Sequence, residues 1–207
     1  MNDKLKKFFK KSWFIVWKDD SLKGWIISLI FLFIIIKLIF FPLLNLLTGT
    51  TLPLVIVESC SMYHEGNLFS DFDNWQTNHE TKYRNYFLDI NNFQKFPFKN
   101  GFNKGDILFV IGAKPEKLEV GDVVIFNANH KNPIIHRIIG IQEKNGEYTF
   151  STIGDNNNGQ LPLEKEINEN QIMGKAVLKP APYLGWIKLI FFEAQRTDSE
   201  RGFCKEN

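Results

Sequence analysis

The sequence has very few cysteines and no strong excess of charge of either sign. Its 207 residues include two cysteines, Cys60 and Cys204, too few for a disulfide framework, and neither stands in a pattern typical of a metal site. Cys60 is interpreted as a small apolar residue rather than a nucleophile. The formal net charge of +2 gives no indication of nucleic-acid binding, so no nucleic-acid partner is expected.

Positive charge is missing from one part of the chain and concentrated in another. Residues 48–81 contain no lysine or arginine, whereas seven lysines precede Trp25. Between these regions, residues 25–47 are apolar apart from Ser28, Lys37 and Asn45. A helix of about 23 residues at ~1.5 Å each is longer than the ~30 Å hydrocarbon core, so a single transmembrane helix is predicted. The lysines predict a cytoplasmic N-terminus and an extracytoplasmic location for everything after residue 47.

Residues 1–24, which precede the apolar segment, are basic and amphipathic. The large apolar side chains recur at near-helical spacing, with lysines between them: Leu5, Phe8, Phe9, Trp13, Val16 and Trp17. Such a helix would lie on an anionic cytoplasmic leaflet with its lysines among the headgroups. A flanking helix without lipid preference is the alternative, and the sequence leaves both open.

A short extended run at residues 57–62, here called the serine run, contains two serines one residue apart. Because side chains alternate along an extended chain, Ser59 and Ser61 are expected on the same face, where both could serve one reacting carbonyl. A serine is a weak nucleophile until a base removes its proton. Without a base and an orienting acid elsewhere in the chain, the pair is ordinary polarity at a strand end.

The remainder of the chain is predicted to be mainly β. From residue 105 onward, short apolar runs alternate with Gly, Asp, Asn and Pro, which predicts strands at 107–112, 123–127, 134–142, 148–153 and 173–178. Residues 63–104 are rich in Asn, Asp and aromatic side chains instead. They are interpreted as a partly ordered insertion that serves as a lid or an interaction loop.

A predicted hairpin brings a histidine and an aspartate together. Asn145-Gly146 is a strong signal for a type I′ turn, and carrying the register of a two-residue turn outward places His136 opposite Asp155. A one-residue slip would put the two side chains on opposite faces, and a glycine bulge could cause it. A histidine among isoleucines is structural by default, but a facing carboxylate suits it to act as a base. Three other histidines have no such partner in this register: His64, His79 and His130.

Five segments of the chain resemble, in order, the conserved boxes of type I signal peptidases. They are Ser-Cys-Ser-Met at 59–62, Gly-Asp-Ile-Leu at 105–108, Gly-Asp-Val-Val-Ile-Phe at 121–126, Ile-Ile-His-Arg-Ile-Ile-Gly at 134–140 and Gly-Asp-Asn-Asn at 154–157. His136 stands where the bacterial enzymes have a lysine, which resembles the archaeal and endoplasmic-reticulum branch. The resemblance suggests an archaeal source.

The resemblance implies a membrane-bound serine endopeptidase that removes signal peptides from exported preproteins after small residues. Ser61 would be the nucleophile, His136 the general base and Asp155 the acid that orients it. The Ser59 hydroxyl and the Ser61 backbone N–H would stabilise the oxyanion, and no metal or other cofactor is needed. Expected partners are signal peptides and the lipid bilayer, with the protein translocation channel as a further candidate.

The chain departs from the family after Asp155. The family has a second aspartate five or six residues later, where this sequence has Gln160 and Leu161. Glu164 or Glu166 could replace it, but a solvated Glu-Lys-Glu segment is the preferred interpretation.

The resemblance also implies the architecture: a signal-peptidase-like antiparallel β-sheet catalytic domain on a single N-terminal transmembrane helix. The expected divisions are a basic segment at 1–24, the helix at 25–47, the β domain at 48–182 with its insertion at 63–104, and an apolar segment with a polar tail at 183–207. The end of the tail, from residue 195, is predicted to be disordered.

Two alternatives remain. One is a catalytically silent membrane-anchored β domain that binds secretory chains or the translocation machinery, suggested by the missing second acid and the insertion. The other is a related self-cleaving serine–lysine fold of the repressor type, which would need a lysine in place of His136.

Overall fold

The computed structural model describes residues 3–65, 72–129 and 132–205. The chain divides into two compact units, Met1–Leu47 and Thr48–Asn207. The first unit is helical. Helix α1 covers Asp3–Trp17, and a second helix begins at Leu22, where the Ser21 hydroxyl accepts a hydrogen bond from the Gly24 N–H at 3.1 Å.

The second helix continues without interruption over Leu22–Thr48, which makes 27 residues with a mean hydropathy of 2.9. Its parts are α2 at Leu22–Ile35, a π-helical turn at Ile36–Phe40 and α3 at Phe41–Thr48. In this π-helical turn the Phe41 N–H donates to the Ile36 carbonyl, five residues earlier. The ring of Pro42 crowds the helical turn that precedes it, which favours this wider winding. The predicted membrane helix therefore corresponds to one N-terminal helix that is long and apolar enough to span a bilayer.

The second unit is built on a seven-stranded antiparallel sheet in the order β1-β2-β7-β3-β4-β5-β6. The strands are β1 at Leu54–Ile56, β2 at Ile107–Ile111, β3 at Val123–Phe126, β4 at Ile134–Lys144, β5 at Glu147–Ile153, β6 at Ile167–Asn168 and β7 at Ile172–Ala181. The predicted mainly β class is confirmed. The described path beyond β5 also contains the four-residue helix α6 at Trp186–Leu189 and four 3₁₀ turns, at Pro162–Glu164, Glu169–Gln171, Glu193–Gln195 and Asp198–Glu200.

Both faces of the sheet are buried at its centre. Every residue of β3 is fully buried, and the side chains alternate between two cores: Val123 and Ile125 pack with Val110, while Val124 and Phe126 pack with Phe150. This arrangement explains why β3 reads as a continuous apolar run rather than an alternating one.

The insertion folds into two helices that cover part of the sheet. Helix α4 covers Phe72–Arg84 and α5 covers Ile90–Phe93. Trp75 and Tyr83 of α4 and Phe93 of α5 pack on Ile139 and Ile153 of the sheet, and together they form a third buried cluster. The sequence predicted an aromatic, partly ordered insertion but not these helices; residues 66–71 of it lie outside the described residues.

The β4–β5 hairpin follows the predicted register only in part. The turn residues Asn145 and Gly146 have φ of 56° and 83°, as a type I′ turn requires. The predicted register holds over five pairs, from Lys144↔Glu147 to Gly140↔Ser151. A bulge at Ile139 then shifts the register by one residue, so the next pairs are Ile138↔Thr152 and Arg137↔Ile153. The shift removes His136 from the position opposite Asp155, so that predicted pairing is wrong.

The described residues 195–205 have defined contacts, so the disorder predicted from residue 195 is wrong for them, and residues 206–207 lie outside the described residues. Two side chains of this segment bind the β domain. The Arg196 guanidinium contacts the Glu58 carboxylate at 3.1 Å, and Cys204 forms a disulfide with Cys60. Cys60 is thus a disulfide cysteine and not the simple apolar filler expected from the sequence.

Candidate active site

The serine run leaves β1 after Ile56 and turns, so that its two hydroxyl groups meet. Ser59 Oγ and Ser61 Oγ are 3.1 Å apart and share a hydrogen bond. The Ser61 carbonyl accepts the Asn156 N–H at 2.8 Å, which ties the run to the Gly-Asp-Asn-Asn segment. The expectation that both hydroxyls lie on one side is confirmed, although a turn rather than a strand brings them together.

His136 lies on β4 opposite Val124 and its side chain is 4% exposed. Its Nδ1 is hydrogen bonded to Glu164 Oε1. A carboxylate at this nitrogen fixes the tautomer that carries the proton on Nδ1, so Nε2 is the nitrogen that can accept a proton. Glu164 is therefore the carboxylate partner of His136.

The Glu164 carboxylate is fully buried and held by several donors. It stands at the end of a 3₁₀ turn over Pro162–Glu164, where its Oε2 accepts the Leu161 N–H at 2.7 Å. The Thr152 hydroxyl donates to Oε1 at 3.3 Å. The interpretation of this segment as solvated is wrong for Glu164, whereas Glu166, two residues on, is exposed as expected.

Asp155 has a different set of partners, all buried. Arg137 donates to it from Nε at 3.0 Å and from Nη2 at 2.7 Å. The Tyr83 hydroxyl donates at 2.7 Å, and His64 Nε2 lies 2.9 Å from Oδ2. These three partners replace the predicted contact between His136 and Asp155, because the β4 bulge turns Arg137, the residue after His136, toward the aspartate.

The electrostatics of this second cluster follow from its burial. Burial alone would raise the pKa of Asp155, but the charge of Arg137 and the hydrogen bond with His64 outweigh it and hold that pKa well below its usual range. Burial lowers the pKa of His64, although the Asp155 carboxylate opposes the change. His64 is stacked on Trp75 with ring centroids 3.6 Å apart, so the pair is sealed under the insertion.

The insertion also touches the segment that follows β5. Lys82 of α4 donates from Nζ to the carbonyls of Gly154 at 3.1 Å and Asp155 at 2.7 Å. Burial lowers the pKa of Lys82 to about 8. Since both contacts are with backbone oxygens, this lysine holds the insertion to the Gly-Asp-Asn-Asn segment.

Ser61 and His136 line the same groove, which has a volume of about 860 Å³. One wall is β1 and the other is the start of β4, at Ile134 and Ile135. Within the described chain, β1 pairs only with β2, and β4 pairs with β5 only from Arg137 onward. Both walls therefore present a backbone edge to the groove, which suits the binding of an extended peptide.

His79 does not line this groove. His79 Nδ1 bonds to the Trp75 carbonyl at 2.8 Å, and His130 lies outside the described residues. In residues 3–65, 72–129 and 132–205, no cluster of His, Cys, Asp or Glu side chains could hold a metal ion.

Sequence reasoning named Glu164 only as a less favoured replacement acid and missed His64 as a partner of Asp155, in both cases for physical reasons. Glu164 is nine residues beyond Asp155 and reaches His136 only because the turn at Pro162 folds back on β5, a long-range event that the hairpin register does not contain. His64 belongs to the insertion, and its contact with Asp155 depends on the docking of α4. In the sequence, Gly140 was the signal for this one-residue shift of the hairpin register, because it lies beside the bulge.

No family model matches the chain. Several curated proteins are similar to it. It is 35% identical over 96 residues to the signal peptidase complex catalytic subunit SEC11C of Homo sapiens, which is 43% of this chain and 50% of that protein. The catalytic subunit SEC11 of Lachancea thermotolerans is 37% identical over 97 residues, or 42% of this chain and 56% of its own. The SEC11 subunit of Candida tropicalis is 29% identical over 98 residues, with shares of 44% and 58%.

The chain spans about half the length of the curated relatives that it matches. These relatives are eukaryotic, so the suggested archaeal source has no support from them. Over the matching segment the chain is homologous to the catalytic subunits of the signal peptidase complex, the branch of type I signal peptidases that its serine and histidine boxes resemble.

Proposed function

We propose that this protein is a membrane-anchored serine endopeptidase that removes signal peptides from exported preproteins after small residues. One observation carries the proposal: Ser61 and a histidine–carboxylate pair open into a single groove with a backbone edge on each side. The homology to signal peptidase catalytic subunits supports the same substrate class.

The reaction divides into acylation and hydrolysis. Ser61 Oγ attacks the scissile carbonyl carbon while His136 Nε2 takes the hydroxyl proton, and the imidazolium then protonates the leaving amine. Water, deprotonated by the same nitrogen, hydrolyses the acyl-enzyme and restores Ser61. Glu164 keeps the proton on Nδ1 and stabilises the imidazolium, which is the function that the sequence had suggested for Asp155.

Asp155 is proposed as a positioning residue. Its ion pair with Arg137 fixes the start of the Gly-Asp-Asn-Asn segment, and the next residue, Asn156, holds the Ser61 carbonyl. The aspartate therefore acts on the nucleophile through the backbone and not on the base.

Two hydrogen-bond donors of the serine run are proposed to stabilise the oxyanion of the tetrahedral intermediate. The Ser59 hydroxyl already lies 3.1 Å from Ser61 Oγ, and the Ser61 backbone N–H belongs to the same turn. A donor of this kind contributes about 3–4 kcal/mol to transition-state stabilisation in other proteases.

The substrate is proposed to bind as an added strand between β1 and the start of β4. The groove wall there is aliphatic, with Leu54, Ile56 and Ile134 among its residues, which suits short apolar side chains before the cut. The single apolar helix would hold the catalytic unit beside substrates that are still in the bilayer, and the translocation channel is a further proposed partner.

The orientation proposed is N-terminus inside and catalytic unit outside. Seven lysines before Trp25 support it through the positive-inside bias. The Cys60–Cys204 disulfide gives independent support, because such bonds persist in oxidising compartments.

The experiment is cleavage of a preprotein by the detergent-purified full chain, compared with Ser61→Ala and His136→Ala. Both variants are expected to lose at least about 10⁴-fold in kcat while they keep the wild-type melting temperature within a few degrees. His79→Asn, a histidine outside the groove, is the matched control and should cleave at the wild-type rate.

A His136→Ala variant that still cleaves would mean that another group is the base. If the folded wild-type chain binds a signal peptide but cleaves none of the preproteins offered, the protein is better described as the catalytically silent binding domain.

A further inference from the structure

We propose that the C-terminal segment, residues 193–205, is a brace that positions the serine run, with the Cys60–Cys204 disulfide and Arg196 as its attachment points. The inference rests on the proposed peptidase function, because it assigns this segment a part in that reaction. It concerns residues that follow the last strand of the sheet.

The disulfide is placed at the reacting residue. Cys60 stands between Ser59 and Ser61, and its bond joins it to Cys204, 144 residues later in the chain. A covalent bond at Cys60 limits the backbone movement available to both neighbours. Any drift of the serine run must therefore move the C-terminal segment with it.

Arg196 binds the residue just before the two serines. Its Nη1 donates to the Glu58 backbone carbonyl at 3.0 Å and its Nη2 to the Glu58 carboxylate at 3.1 Å. The guanidinium is a rigid planar fork, so two bonds to one residue fix both the position and the direction of the chain there. Its side chain is only 19% exposed, and it lines the groove.

Asn156 forms a third connection between the serine run and the C-terminal segment. This residue is 3% exposed, and its Nδ2 donates to the Cys60 carbonyl at 3.0 Å and to the Lys205 carbonyl at 2.9 Å. Its backbone N–H donates to the Ser61 carbonyl at 2.8 Å. One buried amide thus connects the serine run to the end of the C-terminal segment.

The C-terminal segment is itself anchored to the β domain, as a brace must be. Lys104 has a side chain that is 1% exposed, and its Nζ forms an ion pair with Glu193 at 2.7 Å. The same ammonium donates to the Glu200 carbonyl at 2.7 Å. These contacts hold the segment at two points that do not involve the serine run.

Three positions of the serine run, 58, 60 and 61, are therefore held by the C-terminal segment or by Asn156, which binds it. Such a nucleophile must be kept within about 0.5 Å of its productive position, and a misplacement of about 1 Å lowers the rate by about 100-fold. Loss of the brace should act on kcat more than on substrate binding, which the groove walls provide.

The test compares the oxidised full chain with the same chain after reduction by a dithiol under native conditions. The dithiol is oxidised to its own disulfide and delivers two electrons and two protons, which leave Cys60 and Cys204 as thiols. We expect kcat to fall by about 10- to 100-fold, with KM changed by less than about threefold. Hydrogen exchange at residues 57–63 should become faster in the reduced chain.

Two variants separate the brace from general stability. Arg196→Ala should lower kcat by about tenfold, and Arg196→Lys should recover part of the loss because a lysine keeps one of the two contacts. The matched control is Arg201→Ala, since among the described residues the side chain of Arg201 hydrogen bonds within the C-terminal segment, to Asp198, Glu193 and Ala194. Its kcat should stay within about twofold of wild type, as expected for exposed contacts. All rates are measured well below each melting temperature.

An unchanged rate of hydrogen exchange at residues 57–63 after reduction would overturn the proposed brace, whatever the effect on activity. Faster exchange with an unchanged kcat would show that the serine run needs no positioning and would also overturn it. If the oxidised wild type cleaves no preprotein, the proposed function fails, and the exchange measurement alone then decides whether the C-terminal segment holds the serine run.

Discussion

The protein contains two buried histidine–carboxylate pairs that differ in what surrounds them. His136 and Glu164 lie at the wall of the groove that contains Ser61. His64 and Asp155 lie under the insertion, where Trp75 stacks on the imidazole and Arg137 binds the carboxylate.

A histidine–carboxylate contact does not by itself define a catalytic base. In the first pair His136 lines the groove beside Ser61 and has the Glu164 carboxylate at Nδ1, so Nε2 is the nitrogen that can accept a proton. In the second pair Arg137 already neutralises the Asp155 carboxylate, and Trp75 covers the His64 imidazole. The first arrangement supports proton transfer and the second supports docking of the insertion.

The largest stability effect is predicted for Asp155→Asn. The change leaves the fully buried Arg137 without its counter-charge, and breaking a buried ion pair costs about 3–5 kcal/mol. The melting temperature of the detergent-purified chain should fall by about 10 °C. Glu80→Gln, which breaks the exposed Arg84 pair, is the control and should change it by no more than about 2 °C. A melting temperature for Asp155→Asn equal to that of the control would contradict the structural role.

A smaller effect is predicted for the pH dependence of stability. Because folding lowers the pKa of His64, the unfolded chain binds a proton below about pH 6.5 that the folded chain does not, so the free energy of unfolding falls as the pH falls. The depressed pKa of Asp155 stabilises the folded chain by the same amount at every pH above about 4. Asp155 therefore does not alter the free energy of unfolding between pH 6.5 and 5.

His64→Gln should therefore reduce the loss of stability between pH 6.5 and 5 by up to about 1.4 kcal/mol for each pH unit. The glutamine amide can still donate to Asp155 but does not titrate. His79 also has a pKa lowered by burial, so His79→Asn is measured beside it to separate the two contributions. An identical pH profile for His64→Gln and wild type would mean that His64 is not held neutral.

The smallest effect is predicted at the end of α4, the helix that covers His64. Phe87 has φ of 58° and is 97% exposed, and it occupies the left-handed position of a Schellman motif in which the Leu88 N–H bonds to the Tyr83 carbonyl. Phe87→Gly should stabilise the chain by about 1 kcal/mol by relieving the backbone. The melting temperature should rise by about 2–4 °C without a change in kcat, and a decrease would show that the exposed ring is needed for stability.

Local patterns predicted much of the fold. The strand pattern, the type I′ turn at Asn145 and Gly146 and the apolar helix all arise from interactions between residues close in the sequence. The register of β4 was correct as far as Gly140, and the homology later supported the family suggested by the ordered boxes.

The parts that failed depend on contacts between distant residues. A single bulge at Ile139 transferred Asp155 from His136 to Arg137, and no local rule places a bulge with certainty beside a glycine. Glu164 looks like a solvated acid until the chain folds it against Thr152, and the Cys60–Cys204 bond joins residues 144 apart.

The kcat of Glu164→Gln decides whether His136 with Glu164, and not His64 with Asp155, is the catalytic pair. The glutamine amide would donate to His136 Nδ1 and force the proton onto Nε2, which leaves no nitrogen to accept the proton of Ser61. The account predicts a fall in kcat of about 10³- to 10⁴-fold with the fold retained. Glu166→Gln, an exposed acid two residues away, should be unaffected. Full activity in Glu164→Gln, together with loss of activity in folded Asp155→Asn, would contradict the account.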